Sequence, residues 1–160
     1  MSWPEPVERV AAFLRVAGAE ARLEELPTDT ATATAAADAV GCTLGQIVKT
    51  LVLVADDAPV VALVPGDRRA DTGNIAALLG ARRVVVAGAQ KVEVWTGFAP
   101  GTVAPFPLEG VSAVLVDRGL LRHEVVWAGA GSDRHLVSIA PAELVRLTRG
   151  RVEDLVLESP

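Results

Sequence analysis

Residues 46–64 read Gln46-Ile47-Val48-Lys49-Thr50-Leu51-Val52-Leu53-Val54-Ala55, then Asp56-Asp57-Ala58, then Pro59-Val60-Val61-Ala62-Leu63-Val64. Two runs of β-branched and aliphatic residues flank an Asp-Asp turn signal, a pattern that predicts a buried β-hairpin over 46–64. The pattern changes on both sides. Upstream, Ala33 to Val40 is Ala-rich, preceded by the possible N-caps Thr28, Thr30 and Thr32 and closed by Gly41, which predicts a helix. Ala21 to Leu26 fits a short strand. Val7, Val10, Ala11 and Leu14 fall at helical spacing between Pro4 and Gly18 and predict a first amphipathic helix.

Downstream, Pro65-Gly66-Asp67 breaks the strand pattern, and Ile75, Leu78 and Leu79 restore helical spacing between Asp71 and Gly80. Arg83 to Ala87 reads as a strand and Ala89 to Trp95 as a short helix. Gly97 to Pro107 carries two glycines and three prolines and is a structured loop. Val111 to Val116, Val125 to Ala128 and Leu136 to Ile139 are strand candidates, and a last helix starts at Pro141, running through Leu144, Val145 and Leu147. Helices and hairpin-like neighbours in this order predict an α/β fold of the α+β type. It consists of a mixed sheet curled into a barrel-like core with flanking helices, one domain over 1–160.

Composition narrows the function. The chain has 160 residues, 51% of them apolar, enough for a core of its own. Aromatics are 4%, which argues against a platform of exposed rings for single-stranded nucleic acid. Fifteen basic residues against twenty acidic ones give a net charge of -5, so any nucleic-acid contact has to be local. One cysteine, Cys42, and two histidines supply neither a disulfide nor the ligands of most zinc sites, so no metal and no cofactor are expected. No basic, then apolar, N-terminal pattern and no membrane-length apolar run is present, which predicts a cytoplasmic protein with no membrane partner.

Lys49 is the sharpest anomaly, an ammonium in the middle of an aliphatic run that must reach water or an anion. The chain has thirteen arginines and only two lysines, so a lysine here points to a compact point charge with three donors. Strand alternation alone leaves two placements open, a solvent face or a site. Gly97 to Gly101, Gly129-Ala130-Gly131-Ser132 and Pro65-Gly66-Asp67 can each bring backbone N–H groups close to a phosphate or carbonyl, or simply shape turns. Arg68 and Arg69 can meet phosphates or solvate their turn. Ser132, Asp133 and His135 are neighbours in sequence, but no Gly-x-Ser-x-Gly elbow accompanies them, so a catalytic triad is not supported. His135 can still orient a water or hold a carbonyl.

Taken in order, Gln46-Ile47-Val48-Lys49-Thr50-Leu51, Val64-Pro65-Gly66-Asp67-Arg68-Arg69, Leu79-Gly80-Ala81-Arg82-Arg83, Thr96-Gly97-Phe98-Ala99-Pro100-Gly101 with Pro105-Phe106, and Pro141-Ala142-Glu143-Leu144 resemble the YbaK/EbsC family. That family includes the editing domain of bacterial prolyl-tRNA synthetases and its freestanding relatives. The resemblance covers about Thr28 to Leu155. It implies hydrolysis of amino acids wrongly esterified to tRNA, here tRNA-Pro carrying a small amino acid such as Cys or Ala. The tRNA acceptor end is the implied partner, and prolyl-tRNA synthetase a candidate one.

On this resemblance Lys49, Thr50 and His135 are the catalytic set. Lys49 anchors the phosphate or ester region, and Thr50 and His135 orient water or substrate. Gly129, Ala130 and Gly131 provide backbone contacts, Gly97, Phe98 and Gly101 shape the side-chain pocket, and Asp133 and Arg68 complete the substrate-binding residues. Thr102 and Pro107 stand where glycines are common in the family, and there is no Tyr near the first helix, departures that bear on amino-acid choice more than on the reaction. The alternative of a different class is a non-catalytic module of the same fold that holds an aminoacyl or nucleotide ligand. The oligomeric state is left open.

Overall fold

The computed structural model describes residues 3–158. Its helices are α1 (Glu5–Val16), α2 (Ala33–Val40), α3 (Thr72–Leu79), α4 (Ala89–Thr96) and α5 (Pro141–Thr148). Its strands are β1 (Ala21–Glu25), β2 (Ile47–Ala55), β3 (Ala58–Pro65), β4 (Val84–Val86), β5 (Ala113–Asp117), β6 (Val126–Gly129), β7 (His135–Ile139) and β8 (Arg151–Glu153). The expected hairpin is β2–β3, antiparallel and in register from Val48 opposite Pro65 to Ala55 opposite Ala58. Gly41 and Gly80 take the left-handed conformation after α2 and α3 as their positions predict, and Gly97, read from the sequence as the start of a loop, does the same after α4.

All eight strands form one mixed sheet, in the order β1-β7-β6-β2-β3-β5-β8 with β4 paired to β2. The β2–β6, β3–β5 and β5–β8 pairs are parallel, and the others are antiparallel. The sheet does not close, because β1 and β8 each have a partner on one side only. The short strand β8 and two 3-10 turns, Leu44–Gln46 and Arg118–Arg122, are additions to the sequence reading.

The hairpin separates two cores. Val48, Val52, Val54, Val61 and Leu63 pack with Val10 and Leu14 of α1 and with Phe98 and Phe106 of the Pro-rich loop. On the opposite face Leu53, Ala55, Val60, Ala62 and Val64 pack with Ile75 of α3, Leu115 of β5 and Leu155. Each fully buried aliphatic side chain contributes roughly 1.5–3 kcal/mol relative to exposure, and this two-sided cover fixes the register of β2. A smaller cluster joins Ile47 and Leu136 to Ala36 and Ala37 of α2 and seats that helix across the start of the strand.

Candidate active site

β2 has β3 along one edge, but its other edge is divided. β6 pairs only with Ile47 and Val48, and β4 only with Leu53 to Ala55. Between them the sheet forks, and no strand covers Lys49 to Val52 among the described residues. Along a strand, successive residues turn their N–H and C=O groups to opposite edges. The Ile47 carbonyl accepts from Gly66 on the β3 side, and the Val52 carbonyl accepts from Ala87 on the β4 side. The even-numbered residue Thr50 therefore turns its N–H and C=O into the fork. Its hydroxyl is also buried there and has no hydrogen-bond partner among the described residues.

The fork opens into a cavity of about 290 Å³. Ile47 to Leu51 form its floor. One wall is the segment Thr30 to Ala33 with Ala36, and the other is Gly101, Val103, Gly129 and Leu136. The lining is thus largely small and apolar, with few polar groups. Thr32 caps α2, its hydroxyl accepting from the Ala35 N–H at 3.1 Å. Thr30 is buried, and both its N–H (2.5 Å) and its hydroxyl (3.0 Å) donate to the Asp133 carbonyl. That anchor fixes the first wall.

The opposite wall rests on a close backbone approach. A Cβ on Gly129 would lie 3.0 Å from the Val103 carbonyl oxygen, tighter than an ordinary contact, so glycine lets the Pro-rich loop sit this near β6 without a shift. Gly101 takes φ +84 at the cavity edge, a conformation unfavourable for other residues. The loop is further tied down by the Gly131 N–H, which donates to the Thr102 carbonyl at 3.0 Å.

Lys49 is half-buried in the floor. Its ammonium donates to the Arg68 carbonyl at 2.5 Å, leaving two of its three protons for other acceptors. Burial pushes its pKa below the ordinary lysine value; the Asp67 carboxylate works against that shift, and Arg69 adds to it. Of the two placements that alternation left open, Lys49 is therefore not on an open solvent face; it lines the floor of the cavity.

Lys49, Thr50, Gly101 and Gly129 meet at the cavity; the other residues singled out from the sequence lie around it. His135 is 3% exposed, takes Ser132 Oγ at 2.6 Å on Nδ1, and places Nε2 3.4 Å from Glu25 Oε2. Its neighbour Leu136 lines the cavity, and strand alternation turns the His135 ring to the other face of β7. The Ala130 N–H is spent on the His135 carbonyl at 3.1 Å and the Gly131 N–H on Thr102, so neither is a free donor. Asp133 meets the site through its carbonyl, by way of Thr30.

Phe98 is fully buried in the core with the Arg9 guanidinium 4.5 Å above its ring, and the carbonyl of Gly97 accepts from Arg9 at 2.7 Å. Arg68 borders a separate polar cleft of about 650 Å³. The Thr30–Ala33 wall falls within Thr28 to Thr34, which the sequence offers as the second place for amino-acid selection after the Gly97 to Pro107 loop, whereas nothing in the sequence singles out the Thr50 backbone. Among the described residues no three His, Cys, Asp or Glu side chains gather to hold a metal ion, and no helix is long and apolar enough to cross a membrane.

The profile of the aminoacyl-tRNA editing domain matches residues 27–147. Proline–tRNA ligase of Nitratidesulfovibrio vulgaris is 38% identical over 125 residues, covering 76% of this chain and 22% of the ligase. The chain therefore spans about a fifth of the length of that relative. EbsC of Enterococcus faecalis, a candidate Cys-tRNA(Pro)/Cys-tRNA(Cys) deacylase, is 26% identical over 128 residues, 79% of this chain and 78% of EbsC. The crystal structure of a candidate trans-editing enzyme for prolyl-tRNA synthetase superposes with a TM-score of 0.91 at 37% identity, covering 98% of this chain and 99% of the other. With three quarters of its length matched by the family profile and its whole fold shared with such a structure, the chain belongs to the aminoacyl-tRNA editing domain family.

Proposed function

We propose that this protein is a trans-editing hydrolase that cleaves the ester between a small, wrongly attached amino acid such as Cys or Ala and tRNA-Pro. The observation that carries the reading is the fork in the sheet. It brings together, on the floor of one small cavity, Lys49, the unpartnered Thr50 hydroxyl and a stretch of strand edge with no neighbouring strand among the described residues.

An aminoacyl ester is already activated, so hydrolysis needs it to be held still while fixed donors meet the oxyanion that develops on attack. The Thr50 N–H is such a donor, set in the strand and pre-aimed into the cavity. Lys49 anchors the adjacent phosphate or the ester with its remaining protons. The Thr50 hydroxyl orients the attacking water or a polar group of the substrate. As the ester carbon becomes tetrahedral, its oxygen gains negative charge; collapse expels the ribose oxygen, which takes a proton, and releases the free amino acid. No step requires a protein nucleophile.

A cavity of about 290 Å³ is at the small end of ligand pockets, so it takes the amino acid while the terminal adenosine stays outside. Its alanine-rich wall selects by size, and one methylene is worth roughly 10 to 200-fold in such a pocket. Only the acceptor end needs to be bound, which is compatible with a net charge of -5. The similarity to segments of proline–tRNA ligases supports prolyl-tRNA synthetase as the enzyme whose errors are corrected.

The test is deacylation of tRNA-Pro charged with Ala, Cys, Ser or Pro. Turnover of one or more small amino acids with Pro spared is expected. Binding of the charged tRNA without any turnover would instead make the chain a non-catalytic module.

A further inference from the structure

Arg68 lies in the turn that follows β3 and is engaged at both ends. Its carbonyl accepts the Lys49 ammonium at 2.5 Å. Its guanidinium reaches the other way and donates to the carbonyls of Leu157 and, at 2.9 Å, of Glu158. The C-terminal segment it grips is itself fixed to the body of the protein. Leu155 is fully buried, its N–H donates to the Asp117 carboxylate at 2.8 Å, and its carbonyl accepts from the Asp71 N–H at 2.7 Å. The Leu157 N–H donates to the Arg69 carbonyl at 2.9 Å, and Ala70 and Val156 form an antiparallel bridge. The turn is thus clamped by the chain end, and Arg68 is absent from the lining of the small cavity.

A lysine has a long flexible stem, with about 2 kcal/mol of rotamer entropy to lose when it is ordered. The acceptor that fixes Lys49 is a carbonyl in a turn, and a turn holds an acceptor only as firmly as it is itself held.

The geometry points to Arg68 as a positioning residue for Lys49, acting through its grip on the C-terminal segment 155–158 and not through contact with substrate. Its consequence for catalysis rests on the reading of Lys49 as the anchoring group; the ordering of Lys49 does not. Arg68 thereby trades the substrate-binding role implied by the family resemblance for a supporting one.

The chain has two lysines, so protein labelled with ¹³C-lysine gives two sets of side-chain signals, and relaxation of the terminal methylenes reports their order. The expected result for the parent protein is that Lys49, hydrogen-bonded to the Arg68 carbonyl, is more ordered than the exposed Lys91, whose ammonium has only the Trp95 ring at 5.5 Å. Arg68→Met keeps the aliphatic stem and removes the donors. Lys49 then becomes as mobile as Lys91, and kcat/KM for a deacylated tRNA falls by about tenfold to a hundredfold. The slope of log kcat/KM against log salt concentration stays the same. Arg68→Lys, able to hold one carbonyl in place of two, falls between parent and Arg68→Met in Lys49 order. Should Arg68→Met not fold, Arg68→Lys carries the comparison alone. Undiminished order of Lys49 in the folded variants overturns the proposal whatever the activity does. A salt slope reduced by about one unit also overturns it, since Arg68 would then be neutralising a phosphate directly. If no charged tRNA is deacylated, the proposed function fails, and the relaxation data still decide the positioning.

Discussion

The two halves of β2 share one partner, β3, and have different fates on their other edge. Leu53 to Ala55 lie between β3 and β4, are buried throughout, and spend their backbone groups on neighbouring strands. Lys49 to Leu51 have β3 on one edge and the fork on the other, and all three are half-buried. The proposed chemistry of this strand rests on a missing neighbour: where β6 has left and β4 has not begun, the Thr50 amide and hydroxyl and the two remaining protons of the Lys49 ammonium are the groups offered to a ligand. The covered half carries stability, and the uncovered half carries the proposed site.

Exchanging one residue in each half gives the largest contrast. Leu53→Ala empties a fully buried position and costs about 2–5 kcal/mol in urea unfolding, while the folded fraction keeps its kcat/KM. Lys49→Ala has the opposite profile. Deacylation drops at least about a hundredfold, and the thermal midpoint is unchanged or higher because a partly desolvated ammonium has gone. A collapse of the Lys49→Ala midpoint with activity per folded molecule retained would erase the distinction between the halves.

Gly129→Ala acts on the wall of the fork. The added methyl meets the Val103 carbonyl at 3.0 Å and pushes the loop away, at a cost of about 1–3 kcal/mol, and the order of preference among Ala, Cys and Ser substrates changes. An unchanged preference order in the folded variant would move the selecting wall to the Thr30–Ala36 side. Thr50→Val separates hydroxyl from amide in the uncovered half. It removes a buried hydroxyl that lacks a partner, so stability rises by about 1 kcal/mol, and activity falls less than in Lys49→Ala because the backbone donor remains.

The smallest effects are those of pH. Burial lowers the Lys49 pKa, so the charged form is disfavoured on folding. The resulting penalty is present in full below the folded pKa and is relieved as pH rises towards the ordinary value of 10.5. Activity that needs the ammonium therefore declines on the alkaline side below that value, and Lys49→Ala loses the alkaline gain in stability. Away from the fork, Arg146 and the Glu20 N–H hold the pKa of the half-buried Glu143 carboxylate at about 2. That contribution is present above 4.5, its ordinary value, and fades as pH falls through about 2. Glu143→Gln flattens this acid limb with no effect on deacylation.

What was legible in the sequence is what is local. Hairpin, glycine helix stops and the Lys49 anomaly all depend on short stretches of chain, and periodicity or turn chemistry encodes such features directly. The fork was not legible, because it arises where two partners distant in sequence, β4 and β6, each stop short, and nothing near Thr50 marks their ends. For the same reason Ala130 and Gly131 looked like free donors; their partners, His135 and Thr102, are visible only in the fold. His135 illustrates parity: one residue along β7 separates the cavity face, where Leu136 sits, from the core face. The edge strand β8 has a single apolar residue, Val152, among its three, too little for an alternation pattern.

The claim that the fork is an ester-hydrolysing site is tested most directly by a single-turnover assay. Parent and Lys49→Ala proteins are incubated with tRNA-Pro charged with Ala, Cys, Ser or Pro, and release of the amino acid is followed at equal folded concentration. The account predicts that the parent releases one or more of the small amino acids and spares Pro, and that Lys49→Ala releases none at a comparable rate. Release by Lys49→Ala at the parental rate would contradict it.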